Sequence, residues 1–449
     1  MLRGPTRVLS IIVCKFLIFA GKLFGKRSSA TPGQIAMRIA PDILCHLASQ
    51  VRRGIIVVCG TNGKTTTNNM IRTLLQAKGF KVVCNSVGAN MLSGVVTAFA
   101  DAARFNGNLD ADYACIEADE LWAVRIFEHF KPDLIVLTNL FRDQLDRYGE
   151  IDITIDGLSR AVAAAEGATL ILNADDPLLA SIGGKSAAKC VYYGVNSGPH
   201  DIIPDDSLAA GAGEGRFCRD CGAELEYEAY YYSHIGRYIC SGCGFSRPSP
   251  ECAAEQIDLS QGISFSVAGE HIDTNYRGFY NIYNILAAYA VMRQCKIDTA
   301  GLNEVFTGFK PQIGRMEAFT IEGKQVILNL SKNPAGFNQA ISALLADKRA
   351  KAVLIAINDN EQDGRDISWL WDVDFERMII IPSLVISGLR ADDMLVRLKY
   401  AGFDMNKVRI EHSIKEALVS VLLTEDEVVY ALVNYTALFD TYDLLKKMV

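Results

Sequence analysis

Residues 54–80, GIIVVCGTNGKTTTNNMIRTLLQAKGF, restrict the fold more than any other stretch of the chain. An apolar, β-branched run ends at Gly60, a second glycine follows at Gly63, and a segment with helical apolar spacing runs on to Gly79. Strand, glycine loop and helix in that order make a phosphate cradle, in which backbone N–H groups face an anion at the positive end of the helix. Gly60, Thr61, Asn62, Gly63, Lys64, Thr65 and Thr66 are therefore the candidate nucleotide contacts. Lys64 would reach the β- and γ-phosphates, and the Thr65 hydroxyl would help to hold Mg2+. The commoner spacing puts the first glycine at position 58, which is Val58 here, so the loop is a shortened variant.

The alternation continues downstream. KVVCNSVGAN resumes with a strand, and YACIEAD, PDLIVLTNL and ATLILNADDP each read as a short apolar strand running into polar residues. This predicts an α/β fold with a parallel sheet flanked by helices. At 449 residues the chain exceeds one ordinary core, and its texture changes twice. From about residue 197 glycine, proline and aspartate crowd together; after Pro250, GISFSVAGEHIDTNYRG alternates like an edge strand and NIYNILAAYAVMRQC reads as a helix. Beyond Gly314, QVILNLS, KAVLIAIND, RMIIIPS, VRIEH and VVYALVN read as strands of a second, Rossmann-like α/β domain. The expected division is a lead-in segment at 1–50, a central nucleotide-binding domain at 51–313 with an insertion at about 205–252, and a C-terminal α/β domain at 314–449.

The insertion carries two C-x-x-C knuckles, Cys218/Cys221 and Cys240/Cys243, each with a nearby glycine. This spacing suits a structural Zn2+ held by four thiolates, a closed shell with no open position for catalysis. The lead-in segment offers no credible signal peptide, so a reducing cytoplasm is expected and the twelve cysteines point to thiols and a metal site, not disulfides. A redox pair is the alternative, which two knuckles make a poor fit. A nucleic-acid ribbon is disfavoured by the acidic, aromatic AELEYEAYYY between the knuckles and by a net charge of −7. With four cysteines completing the shell, His234 is expected at the surface.

At the N-terminus, RVLSIIVCKFLIFAGKLFGKR is apolar but interrupted by Lys15, Lys22 and Lys26, which fall on one helical face. No run reaches the ~20 residues of a spanning helix. The expectation is an amphipathic helix packed on its own protein, with a helix lying on an anionic membrane surface as the sharper alternative.

GTNGKTTT resembles the Mur ligase superfamily, ATP-dependent enzymes that join an amine to a carboxylate. EADE at 117–120 matches a family position at which Glu117 would bind Mg2+, and TNLFRDQLDRYGE at 138–150 is similar to the family's Thr-Asn…Asp-His-Leu-Asp block. FYNIYNILAA matches the stretch whose asparagines, Asn281 and Asn284, lie near the adenine, and GRME supplies Arg315 as a nucleotide contact. Lys332 resembles a lysine of the D-glutamate-adding ligase. The chain departs from the pattern in three places. Gln144 replaces the block's histidine, Asn329 replaces an aspartate, and no lysine between Lys131 and Lys185 can supply the family's carbamylated ligand to a second metal. The inserted ribbon and the stretch NDNEQDGRDISWLWDVDFE resemble one branch, the Mur-ligase-like subunit of lipid II isoglutaminyl synthase, over nearly the whole chain. The resemblance implies a heterodimer. A separate glutaminase subunit releases ammonia, and the Mur-like subunit uses ATP to activate the D-glutamate α-carboxylate of the lipid II stem peptide, or of a related precursor. A stand-alone amino-acid ligase and a non-catalytic nucleotide-binding scaffold are the rival readings.

Residues 356–372 hold Asp359, Glu361, Asp363, Asp366 and Asp372 at the end of a buried strand. Taken alone they could be a metal site, a surface loop or half of an active site. The resemblance implies that one of them orients the histidine of the partner's glutaminase. Asp359 is the first candidate because it directly follows the strand VLIAIN, with Asp363 and Asp366 next. The plainer alternative is a solvated loop in which Asp366 caps a helix at 368–371. Trp369 and Trp371 are expected as core or interface anchors.

Overall fold

The computed structural model describes residues 3–23, 30–85, 89–143, 150–196, 213–260, 262–308 and 313–449. Gln144, Lys26 and the start of the insertion lie outside them. Two compact units are present, one formed by 1–140, 152–275 and 281–309, the other by 141–151, 276–280 and 310–449.

The first unit is built on nine strands: β1 (Gly54–Cys59), β2 (Val82–Cys84), β3 (Tyr113–Glu117), β4 (Leu134–Leu137), β5 (Thr169–Asn173), β6 (Lys189–Val195), β9 (Cys252–Asp258), β10 (Ile263–Val267) and β11 (Glu270–Thr274), with β7 (Glu226–Tyr232) and β8 (Ile235–Ile239) forming a separate hairpin. The order across the sheet is β11-β10-β9-β6-β5-β4-β1-β3-β2. From β2 to β9 neighbours run parallel; β9, β10 and β11 run antiparallel. All six residues of β1 are buried, as expected of a central strand covered on both faces by helices. The stretch GISFSVAGEHIDT makes the two strands of a hairpin, β10 and β11, because Ala268 and Gly269 both take positive φ and reverse the chain.

Helix α1 (Arg3–Leu23) packs on α2 (Thr31–Ile39) and on the helix Leu92–Ala102, which the short α3 (Ile43–Ala48) also contacts. Ser10, Ile11 and Cys14 form its buried face, and Ser10 Oγ donates to the Ala36 carbonyl. Residue 33 must be glycine, since a Cβ there would lie 1.9 Å from the Ser93 carbonyl oxygen. The expectation that this helix packs on its own protein holds for one face only.

The second unit has a six-stranded sheet in the order β12-β13-β17-β14-β15-β16. Its strands are β12 (Arg315–Ile321), β13 (Lys324–Leu330), β14 (Lys351–Ala356), β15 (Ser383–Ser387), β16 (Val408–Ile410) and β17 (Val428–Val433). β12 is antiparallel to β13 and the rest are parallel. One of the expected strands is displaced. RMIIIPS does not form a strand: Phe375–Met378 is a 3-10 turn, Ile379 and Ile380 are exposed, and the strand begins after Pro382, at Ser383. Proline cannot donate to a ladder, whereas Leu384, Val385 and Ile386 that follow it all can.

Candidate active site

The phosphate loop follows β1 and leads into α4 (Lys64–Ala77). Gly60 has φ +122° and Gly63 φ +82°; a Cβ on the first would meet Thr138 Oγ1 at 2.3 Å, and on the second Asn284 Oδ1 at 2.3 Å. Both glycines are thus required by close approach as well as by backbone conformation. The loop is pinned from behind by the segment after β4. Thr61 N donates to the Asn139 carbonyl (2.8 Å), Asn62 N to Asn139 Oδ1 (2.9 Å), and Thr138 Oγ1 and Asn139 Nδ2 both donate to the Asn62 carbonyl (2.7 and 3.0 Å). The first backbone N–H groups of α4 have no partner within their own helix, which leaves an anion-facing end.

Lys64 is buried and donates to Glu120 Oε1 at 2.7 Å, with both side chains at 10% exposure or less. Burial alone would lower this ammonium, but Glu120, Glu117 and Asp119 outweigh it and keep the lysine charged. Glu117 ends β3, is buried, and takes an N–H from Asn90 Nδ2 at 3.4 Å. Asn284 and Asn281 sit on the helix Tyr280–Gln294, joined by a 2.8 Å hydrogen bond, and Thr67 Oγ1 donates to Asn284 Oδ1 at 3.2 Å. The structure therefore brings Gly60 to Thr66, Glu117, Asn281 and Asn284 together within one unit. Glu120 and Asn139 belong to the same site and were not singled out from the sequence, although both lie in quoted motifs.

Cys218, Cys221, Cys240 and Cys243 form a cluster whose sulfurs all lie within 4.8 Å of one another. The Cys218–Cys243 and Cys221–Cys240 sulfurs are 3.6 and 3.4 Å apart. Four sulfurs placed tetrahedrally at about 2.3 Å from a Zn2+ would stand roughly 3.8 Å apart, so the donor set fits that ion. The two knuckles are copies of one turn: Gly222 N donates to Cys218 O and Gly244 N to Cys240 O, each at 2.9 Å, with both glycines at φ +77°.

His234 corrects the expectation of a surface residue. It occupies the β7–β8 turn but is 0% exposed, with Nε2 3.6 Å from Asp176 Oδ1 and Nδ1 3.8 Å from Glu214 Oε2. The hairpin tip folds back onto the core at Gly215, where a Cβ would strike the imidazole. Burial alone would lower this imidazole; Asp176 and Glu214 outweigh it, and its pKa lies above the ordinary value. Asp176 also caps the helix Pro177–Lys185 and accepts Leu140 N at 2.8 Å, next to Asn139 of the phosphate loop's support. Its neighbour Asp175 pairs with Arg247 at 2.5 Å and accepts from Tyr283 at 2.8 Å, on the helix that carries Asn281 and Asn284. Two adjacent buried carboxylates thus join the cysteine-bearing insertion to both sides of the nucleotide site.

In the second unit, Arg315 begins β12 opposite Asn329, and Lys332 follows β13 and pairs with Asp143 at 2.5 Å. Asp359 follows β14, so Lys332 and Asp359 lie at the same carboxyl edge of the parallel strands. The acidic stretch separates into distinct roles. Asp363 is buried and accepts from Thr436 N (2.8 Å) and Thr436 Oγ1 (2.5 Å), holding the start of the last helix; burial raises its pKa. Asp366 accepts from Ser368 N and Oγ at 2.8 and 3.0 Å, ahead of a 3-10 turn at Ser368–Asp372. Asp359 is part-exposed and pairs with Arg390 at 2.7 Å. The backbone before it is locked by Asn358 and Asn434, which exchange hydrogen bonds of 3.0 and 2.6 Å. Trp369 packs in the core against Phe337, whereas Trp371 is 53% exposed beside Tyr400.

The family model of the Mur ligase middle domain matches residues 58–229, and that of the MurT ligase C-terminal domain matches residues 330–438. Among solved structures, a pseudomurein peptide ligase type C from Methanothermus fervidus superposes with a TM-score of 0.69 at 23% identity, over 90% of this chain and 80% of that one. MurF ligase from Thermotoga maritima in complex with ADP gives 0.63 at 12% identity, over 93% and 85%. Fold and phosphate loop are those of the Mur ligases, enzymes that use ATP and Mg2+. The lipid II isoglutaminyl synthase (glutamine-hydrolysing) subunit MurT of Staphylococcus aureus strain COL is 35% identical over 441 residues, 98% of this chain and 97% of its own length. The subunit MurT of Streptococcus pneumoniae strain R6 is 34% identical over 423 residues, 93% and 92%. The chain belongs to the MurT family.

Proposed function

We propose that this chain is the ATP-using subunit of a lipid II isoglutaminyl synthase. It activates the α-carboxylate of D-glutamate in the lipid II stem peptide, and ammonia from a partner glutaminase subunit converts it to D-isoglutamine. The observation that carries this reading is similarity to MurT subunits over 98% of the chain, in both units, since a phosphate loop alone would suit any Mur ligase.

A carboxylate is a poor electrophile at neutral pH. Transfer of the γ-phosphoryl group makes an acyl phosphate; ammonia then adds to the acyl carbon and inorganic phosphate leaves. Lys64 and the α4 N-terminus neutralise the phosphoryl oxygens during transfer. Mg2+, held by Thr65 and Glu117, would supply further positive charge on the same oxygens. Asn281 and Asn284 border the adenine side, and Arg315 and Lys332 are the nucleotide-contact candidates of the second unit. Glu120 holds Lys64 until nucleotide replaces it. The four cysteines hold a structural Zn2+. The 314–449 domain docks the glutaminase, and Asp359 orients the glutaminase histidine. Supporting Asp359 is its part-exposed position on a fixed backbone, where its ion pair is with the part-exposed Arg390, whereas Asp363 is buried and tied to Thr436 and Asp366 is turned onto Ser368. The work is cytoplasmic; no helix among the described residues is long and apolar enough to cross a membrane.

The test is incubation of the zinc-replete chain with lipid II and Mg-ATP, supplying ammonium, glutamine or single amino acids, with and without a glutaminase subunit. Amidation from ammonium alone, and from glutamine only with the partner, is expected. Addition of an amino acid without a partner would overturn the proposal in favour of an ordinary ligase, and absence of ATP turnover with every acceptor would leave only a scaffold.

A further inference from the structure

The face of α1 opposite its buried side is neither polar nor covered. Leu9, Ile12, Phe16, Phe19 and Leu23 are 51, 42, 66, 66 and 71% exposed. At about 100° per residue these five fall within an arc of roughly 80°, pointing away from Ser10, Ile11 and Cys14. Phe105, 64% exposed, extends the apolar surface beside Lys15, whose ammonium lies over its ring and donates to the Asp101 carbonyl. Single exposed apolar residues need no explanation, but a continuous stripe with two phenylalanines along a whole helix marks a contact surface.

We propose that this stripe lies on the anionic surface of a lipid bilayer, placing the enzyme against the leaflet that carries its acceptor. The inference rests on the reading above only in taking that acceptor to be lipid-linked. Charge identifies the occupant. The helix contains Arg3, Arg7, Lys15 and Lys22 and no acidic residue. Arg7 is engaged by Asp42, whereas Lys22 is exposed and falls, with Lys15, on one flank of the stripe. A helix with an apolar face and lysines at its margin buries the face at the acyl boundary and sets the ammonium groups among lipid phosphates. A second copy of the chain fits less well. Pairing two such stripes would bring the flanking lysines of both copies together with no acid on the helix to offset them. The helix is also anchored to the protein by its other face, so membrane contact requires no unfolding of α1.

The experiment is flotation of the full chain, alone and with its glutaminase subunit, with vesicles of phosphatidylcholine or of equal phosphatidylcholine and phosphatidylglycerol. Binding is expected to the anionic vesicles and to weaken with salt. Phe16→Ser/Phe19→Ser should reduce partitioning by more than about tenfold, and Lys22→Glu should reduce it and lessen its salt dependence. Neither change touches a buried side chain, so the thermal midpoint and turnover of a detergent-dispersed acceptor should stay as in the parent, while turnover of vesicle-embedded acceptor falls. Equal flotation of parent and double variant, or none by the parent in either state, would overturn the proposal. So would a parent dimer that the double variant converts to monomer, which would assign the stripe to a second copy. Flotation needs no catalysis, so its failure leaves the amidation reading standing, and loss of amidation leaves the flotation result standing.

Discussion

Replacing His234 with leucine tests whether the cysteine-bearing hairpin is fastened by a buried charge pair. Both His234 and Asp176 have 0% side-chain exposure, 3.6 Å apart. Removing one partner of a fully buried pair costs about 3–5 kcal/mol when the other charge is left bare. Here Asp176 keeps the N–H groups of Leu140, Leu178 and Leu179 at 2.8, 2.9 and 3.3 Å, so the loss should fall lower, near 2 kcal/mol. In a unit of about 300 residues that is a fall of roughly 3 °C in thermal midpoint. The pH dependence has a definite sign. A histidine whose folded pKa is raised contributes its full stabilisation below its unfolded value, about 6.5, and loses it as pH rises through the folded value. The parent should therefore exceed the variant most below about pH 6.5, and the gap should narrow as pH rises through the folded value. Urea unfolding of both proteins across that range, with zinc saturating, measures the difference directly. A gap that does not change with pH would show that His234 contributes packing alone and would refute the charge-pair argument.

Three further outcomes are expected. Gly63→Ala forces a Cβ to 2.3 Å from Asn284 Oδ1 at φ +82°, so nucleotide affinity should fall by more than about tenfold, read by titration with a fluorescent ADP analogue; unchanged affinity would contradict the close approach. Asp363→Ala removes the acceptor for Thr436 N and Oγ1 and should destabilise by about 2–3 kcal/mol in chemical unfolding. Asp359→Asn should leave stability and ammonium-driven turnover near the parent and lower glutamine-driven turnover by at least about a hundredfold, toward the roughly ten-thousandfold seen when a triad carboxylate is neutralised; equal losses with both nitrogen sources would remove Asp359 from the glutaminase.

What could be read from the chain depended on how local each feature is. The β1–loop–α4 unit is legible because strand, glycines, lysine and helix are contiguous, and each restricts the next. The cysteine cluster is legible for the same reason, since its two turns are short and self-contained. His234 is misread because the four cysteines complete a metal shell without it, while the residue it packs against, Asp176, belongs to a different strand–helix junction. RMIIIPS is apolar enough for a strand, yet Pro382 moves the ladder onward to Leu384. Asp359, Asp363 and Asp366 look alike in sequence; only Thr436, Ser368 and Arg390 separate them. β12 is absent from the reading because RMEAFTI has too little alternation to compete with its neighbours, and pairing with β13 supplies what periodicity lacks.

The placement of the insertion bears on the order in which the chain assembles. β6 and β9 are parallel neighbours, so residues 196–251 form a crossover in the middle of the sheet, where a βαβ step would put a helix. Closing so long a span costs chain entropy before β9 can pair, and β10 and β11 must wait for β9. Tying position 218 to position 243 through the cysteine cluster removes much of that span from the search, and the Arg247–Asp175 pair then delivers the chain to the edge of β6. Zinc supply would thus act as a rate factor in building the far side of the sheet. Amide protection of β9–β11 that develops at the same rate with and without zinc during refolding would rule this out. With Zn2+ in the proposed site, cells short of the metal would lose the protein during its synthesis.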